Sequence, residues 1–187
     1  MDGFTLRGRR GAVRVCLEQT VCKIMSNSLP LLVAPLLVVA ATVAPAHVVG
    51  SDAQACLSGK PSMLVRVSGF KRPTGTVKVA VYAAHGYLAR GGKLCKVVVP
   101  VRSTAPLDIC IAVPSAGQYA VAVHHDINGN GDKDGNDGGG YSGNPKLSIT
   151  NLRPPFGRTA VQVGRSPRPV TVLLQYRHGL SVGPVRG

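Results

Sequence analysis

The sequence predicts an all-β protein: a single β-sandwich of about seven strands, of the immunoglobulin or prealbumin type. Three observations carry this. Beyond Cys56, apolar residues alternate with polar or small ones in short runs, the period of two that a strand with one buried face requires. No competing helical spacing of apolar residues runs through the same segments. The breaks between runs are rich in Gly, Pro, Asn and Asp, which supply the dihedral angles and local hydrogen bonds of turns.

The elements follow in order. Met63-Val65-Val67, Val77-Val79-Val81, Val97-Val99-Val101, Ile109-Ile111-Val113 and Tyr119-Val121-Val123 are the inward-facing sets of five strands, separated by turns at Gly69 to Gly75, Gly86 to Gly92, Pro106 and Pro114 to Gly117. A long glycine-rich loop, 126–145, comes next. Leu147 to Ile149 is a short apolar piece, and Pro154-Pro155-Phe156-Gly157 an extended turn. Val161-Val163 and Val170-Val172-Leu174-Tyr176 supply the last two strands. Burying these β-branched sets between two sheets is expected to hold the fold, at about 1.5–3 kcal/mol per fully buried Val, Leu or Ile before chain entropy is deducted.

The first third reads differently, and the chain divides into a leader, 1–55, and a sandwich domain, 56–187. Met1 to Ile24 is basic, with Arg7, Arg9, Arg10, Arg14 and Lys23, and Met25 is an alternative start. Leu29 to Val49 carries no charge but three prolines. A spanning helix of about 20 residues tolerates prolines poorly, whereas a signal-peptide core needs only about 7–15 apolar residues. The segment is therefore expected to be a cleaved export signal, with Arg9-Arg10 as a twin-arginine alternative. No transmembrane span remains in the mature chain, whose expected location is periplasmic or secreted. Ala44-Pro45-Ala46 and Ala53-Gln54-Ala55 both fit the small-residue cleavage pattern; the second would leave Cys56 at the new N-terminus.

Export leaves Cys56, Cys95 and Cys110 of the five cysteines. One disulfide among three pairings and one free thiol are expected in an oxidising compartment. Without a CxxC motif, neither dithiol redox chemistry nor a thiolate zinc site is supported.

The 187-residue chain has a formal net charge of +14. After Cys56 there are seventeen Lys and Arg against five Asp. The basic residues stand singly between apolar ones, with no basic helix and few aromatic residues, so no nucleic-acid platform is expected. An exported basic surface fits anionic envelope polymers or lipid headgroups instead.

Four of those five aspartates fall within Asp126 to Asp137. Oxygen-bearing side chains at loop positions 1, 3, 5 and 9, a glycine at 6 and a carboxylate at 12 reproduce the spacing of loops that wrap calcium. The candidate ligands are Asp126, Asn128, Asn130, Asp134 and Asp137, with a backbone carbonyl from Asp132, and calcium is the implied cofactor because every donor is oxygen. Position 12 is a short aspartate, position 8 is Lys133, and the flanks are a strand and a glycine run. This is no EF-hand pair; it looks more like the calcium loops of dockerin modules or bacterial surface B-type sandwiches. The competing reading is a metal-free hairpin loop, because Asn-Gly and Asp-Gly steps are common turn chemistry and Asx side chains satisfy their own backbone.

His124 and His125 precede the loop in a strand, where successive side chains take opposite faces and cannot chelate one ion together. They read as a surface pair at the sheet end. A hydrolase using either would need a cleft beside the loop. Ser142, in Gly-Tyr-Ser-Gly, lacks the strand-to-helix setting of a nucleophile elbow. An enzyme is not expected.

From Met63 to Tyr176 the chain resembles a bacterial family of exported proteins catalogued as domain of unknown function 2141. The resemblance is carried by Gly75 to Tyr82, Gly117 to Asp126, Asn128 to Asp132, Gly140 to Asn144 and Pro154-Pro155-Phe156. It implies an exported sandwich and brings no activity or site residues. Family members commonly carry a Pro-x-Glu step before the Gly-Tyr-Ser piece; here Asp137-Gly138-Gly139 stands in its place.

Overall fold

The computed structural model describes residues 48–185. The export-signal core before Val48, the Met25 start, Arg9-Arg10, Cys16 and Cys22 lie outside the described residues. Two β-sheets pack face to face, as the alternation predicts. The first runs in the order β1 (Val48–Val49), β5 (Leu107–Ala112), β2 (Ser62–Ser68) and β9 (Arg168–Leu173). The second runs β11 (Ser181–Gly183), β10 (Gln175–His178), β7 (Gly138–Tyr141), β6 (Gly117–Asp126), β3 (Thr76–Tyr82) and β4 (Cys95–Pro100), with β8 (Ala160–Val163) also paired to β6. Pairing is antiparallel throughout the second sheet.

Six of the seven expected inward sets lie on one strand each or at its end, the seventh spans two, and their Val, Ile and Met side chains fill the space between the sheets. Met63, Val65, Val67, Ile109 and Ile111 face Val77, Val79, Val81, Val121 and Val163, all of them 0% exposed. The longest strand, β6, organises the second sheet. One edge pairs with β3 from Ala120 to Asp126; the other pairs first with β8 over Gly117 to Ala120 and then with β7 over Ala122 to His125.

Two expectations about boundaries change. The alternation Val170-Val172-Leu174-Tyr176 is not one strand. The chain leaves the first sheet after Leu173 and joins the second at Gln175, while Val172, Leu174 and Tyr176 all stay buried. A period of two reports which residues face the core, not which sheet holds them. The loop 126–145 is likewise interrupted by β7, which has no apolar pattern. Its glycines are there for contact: a side chain on Gly138 would collide with the Tyr176 ring, and a Cβ on Gly140 would stand 2.7 Å from Val172 Cγ1.

The N-terminal segment Val48 to Leu57 joins the fold as β1 and a short helix, α1 (Ala53–Leu57). The disulfide is Cys56–Cys110, which ties α1 to β5, and Cys95 is free and half-buried. By chain entropy, closing that 54-residue separation stabilises by about 4 kcal/mol.

Gly138→Ala is expected to lower stability by about 1–3 kcal/mol through overpacking against Tyr176. Gly135→Ala, where an added Cβ meets nothing, should be close to neutral. Denaturant unfolding of both variants checks this.

Candidate functional site

Strand β6 sends Ala122, His124 and Asp126 to the outer face of the second sheet and Val123 and His125 inward. Its register sets Lys78 of β3 opposite His124. Asp126 is 1% exposed. Its Oδ1 accepts the Gly129 N–H at 2.8 Å, and its Oδ2 accepts the Gly131 N–H at 2.9 Å and the Lys78 Nζ at 2.9 Å. The same ammonium donates to the Gly131 carbonyl at 3.2 Å. The lysine, before any other neighbour, holds the Asp126 carboxyl below its ordinary value, against the opposing effect of burial. Gly129 and Gly131 take φ of 71° and 91°, which lets the chain fold back over that carboxylate.

The remaining loop residues form a ladder of Asx turns. Asn128 Oδ1 accepts the Asn130 N–H at 3.2 Å, Asn130 Oδ1 the Asp132 N–H at 2.9 Å, and Asp134 Oδ1 the Asn136 N–H at 3.1 Å. Asp134 Oδ2 accepts the Asn128 carboxamide at 2.8 Å and that of Asn130 at 3.4 Å. Asp137 Oδ1 takes the Ile127 N–H at 3.1 Å, while Oδ2 lies 2.8 Å from His124 Nε2 and accepts the Asp134 N–H at 3.2 Å.

The six sequence-predicted positions therefore fall into separate groups. The Asn128 and Asn130 carboxamides both meet Asp134; Asp126 is engaged by Lys78 and Asp137 by His124; Asp132 is exposed. Among the described residues no three His, Cys, Asp or Glu side chains are placed to hold a metal together. Sequence reasoning named Lys133 within the loop but missed Lys78 and His124 as partners of its carboxylates. Both sit at outward positions of their strands, but only the β3–β6 register brings them to the loop.

His124 and His125 take opposite faces, as the alternation requires. The expected surface pair is half wrong, however, because His125 is fully buried. Its Nε2 donates to the Thr74 carbonyl at 3.0 Å, so in the neutral ring Nδ1 accepts from the Tyr176 hydroxyl at 2.7 Å. That hydroxyl in turn accepts the Lys71 N–H at 3.1 Å, and Phe70 stands edge-on to the imidazole at 5.2 Å. Burial pushes the His125 pKa down and that of Tyr176 up to about 12. This chain of bonds fixes segment 70–75 against the start of the loop. Ser142 is structural: buried, it accepts the Val121 N–H at 2.9 Å and donates to the Thr159 carbonyl.

A second feature lies on the outer face of the same sheet. Tyr87 packs edge-on against Tyr82 and Phe156, and Arg153 Nη2 donates to the Leu88 carbonyl at 2.9 Å. Leu88 adopts φ of 54°, a conformation that costs a branched side chain energy. Between these residues is an open depression of about 270 Å³ lined by Tyr87, Leu88, Ala89, Arg153 and Pro154. The segments 83–94 and 142–168 carry Arg90, Lys93, Lys146, Arg153, Arg158, Arg165 and Arg168, all exposed, and contain no acidic residue; of these Arg153 lines the depression, whereas Arg168 opens β9 of the first sheet. No helix among the described residues is long and apolar enough to cross a membrane.

Residues 65–171 match the family described as uncharacterized protein conserved in bacteria (DUF2141). No curated protein and no solved structure matches the chain.

The buried histidine gives stability a defined pH dependence. His125 is held below its ordinary 6.5, so the unfolded chain binds the extra proton; its contribution is full above about 6.5 and is lost as pH falls through the lower folded value. Asp126, held below its ordinary 3.8, adds a second loss only in stronger acid. Thermal melts across the pH range should show the first decline in the wild type and not in His125→Gln. Lys78→Met, which leaves the Asp126 carboxylate without its ammonium, should cost about 1–3 kcal/mol at neutral pH.

Proposed function

This chain belongs to the bacterial DUF2141 family, and we propose that it is an exported, non-catalytic β-sandwich module that binds anionic envelope polymers through its basic surface. Charge segregation is the observation that carries this reading. The acidic side chains Asp126 and Asp137 face Lys78 and His124, and Asp108 faces Arg66. Every described Lys and Arg except Lys78 is exposed. The segments 83–94 and 142–168 therefore present exposed cations with no carboxylate in either segment, and one of them, Arg153, lines the depression at Tyr87. A guanidinium such as that of Arg153 can engage a phosphate or carboxylate with two parallel hydrogen bonds. Several such contacts along one polymer add up where a single one is weak. The Cys56–Cys110 disulfide supports an oxidising compartment, in line with the leader.

A second reading, calcium in the Asp126–Asp137 loop, is favoured by a separate observation. The carboxamide nitrogens of Asn128 and Asn130, positions 3 and 5 of the calcium spacing, lie 2.8 and 3.4 Å from Oδ2 of Asp134, position 9. A cation there would take over the Asp134 carboxylate from the two carboxamides and compete with Lys78 for Asp126.

Retention on immobilised polyphosphate tests the first reading. Wild type should be retained at low salt and released near about 1 M salt, where the Debye length is about 3 Å, and Arg90→Glu with Arg153→Glu should elute earlier. Unchanged elution of that double variant would defeat the reading, and sedimentation with anionic vesicles without polymer retention would move the partner to lipid headgroups. For the loop, calcium should raise the melting temperature of wild type, more so in Lys78→Met, and Asp126→Ala should abolish the rise. Identical melts in calcium and in chelator exclude calcium.

A further inference from the structure

We infer that the export signal is removed after Ala46, so that the mature chain begins at His47, and that the second small-residue motif, ending at Ala55, is not a processing site. The inference rests on the export reading above, and the fold of the segment between the two motifs carries it. Val48–Val49 pair in parallel with Asp108–Ile109 on β5, and Val49 packs against the core. Gly50, at φ of 108°, is closely packed: a Cβ there would come within 2.9 Å of Val97 Cγ1 and 3.5 Å of Ile109 Cγ2. Asp52 Oδ2 accepts the Ala112 N–H of β5 at 3.0 Å, and the Asp52 carbonyl accepts the Ala55 N–H at 2.8 Å. Residues 48–55 thus protect an edge of the first sheet and satisfy one of its donors.

Cleavage after Ala55 would remove β1, Asp52 and most of α1 together. The outer edge of β5 would lose its only described partner strand, the Ala112 N–H its acceptor, and a new ammonium would sit on Cys56 beside the disulfide. Nor is Cys56 free to be lipid-modified, since its sulfur is bonded to Cys110. Cleavage after Ala46 costs the fold none of this. Ala44 and Ala46 are small residues at alternate positions, the pattern a signal-peptide protease reads. The step is hydrolysis of the Ala46–His47 peptide bond: the C–N bond breaks, water supplies the hydroxyl that completes the Ala46 carboxyl group, and its remaining proton goes to the His47 nitrogen.

The test is intact mass and N-terminal sequencing of the full chain expressed from Met1 in an exporting bacterium, with the envelope and cytoplasmic fractions separated. A product starting at His47 is expected whether translation begins at Met1 or Met25. In Ala46→Leu, where a large residue precedes the scissile bond, that product should fall at least tenfold and precursor accumulate, whereas Ala55→Leu should be processed as wild type. An exported product starting at Cys56, or undiminished processing of Ala46→Leu at the same bond, overturns the inference and leaves export standing. A full-length chain confined to the cytoplasm overturns the export reading, and the inference with it.

Discussion

The pairing of β6 on both of its edges is the constraint from which the rest of the molecule follows. Ten residues, Gly117 to Asp126, give their backbone donors and acceptors to β3 on one side and to β8 and β7 on the other. With both edges committed, the faces of the strand are fixed as well, because a slip of one residue would exchange every side chain between core and solvent. Tyr119, Val121 and Val123 are thereby locked inside. His125 enters the core too, and a neutral imidazole with a donor and an acceptor partner is what makes a polar ring tolerable there. On the opposite face the same register sets His124 and Asp126 beside Lys78. The loop that follows inherits its starting geometry from this strand.

That loop is closed largely by its own groups. In a chain so basic, four clustered carboxylates would be expected to seek cations, and one of them finds the Lys78 ammonium, while Asp137 lies 2.8 Å from the His124 imidazole. Oxygens of Asp126, Asp134 and Asp137 also accept backbone N–H groups and carboxamides of the same loop, while Asp132 is exposed. Negative charge is concentrated at one end of the sheet, where Asp126 is paired with Lys78, and the exposed Lys and Arg lie elsewhere on the surface save Lys133. Charge placement at the loop and charge placement on the exterior are one arrangement. Across segments 83–94 and 142–168 no carboxylate offsets the exposed cations.

The segment before Cys56 shows how an apolar run and a folded domain can overlap in sequence. In composition Val48 and Val49 continue the apolar run Leu29 to Val49, yet in the fold they are a strand. The disulfide Cys56–Cys110 and the hydrogen bond from the Ala112 N–H to Asp52 bind the same stretch to β5. Covalent and polar contacts at that edge reinforce each other: the disulfide holds α1 in place, and α1 in turn positions Asp52.

The seven inward-facing sets, the two-sheet class and the opposite facing of His124 and His125 were legible in the sequence, because period-two alternation is a local property that each strand carries alone. The oxygen-rich loop was legible for the same reason. What is written locally, though, says which residues face the core and not which strands are neighbours. Only the tertiary structure split Val170 to Tyr176 between two sheets and made a strand of Gly138–Tyr141, whose glycines make room for Tyr176 and Val172. It alone selected Cys56–Cys110 among three pairings and brought Lys78, 48 residues away in sequence, to Asp126. Each of these depends on strand register and on close packing between distant segments, and those are set by the assembled core rather than by any one stretch of chain.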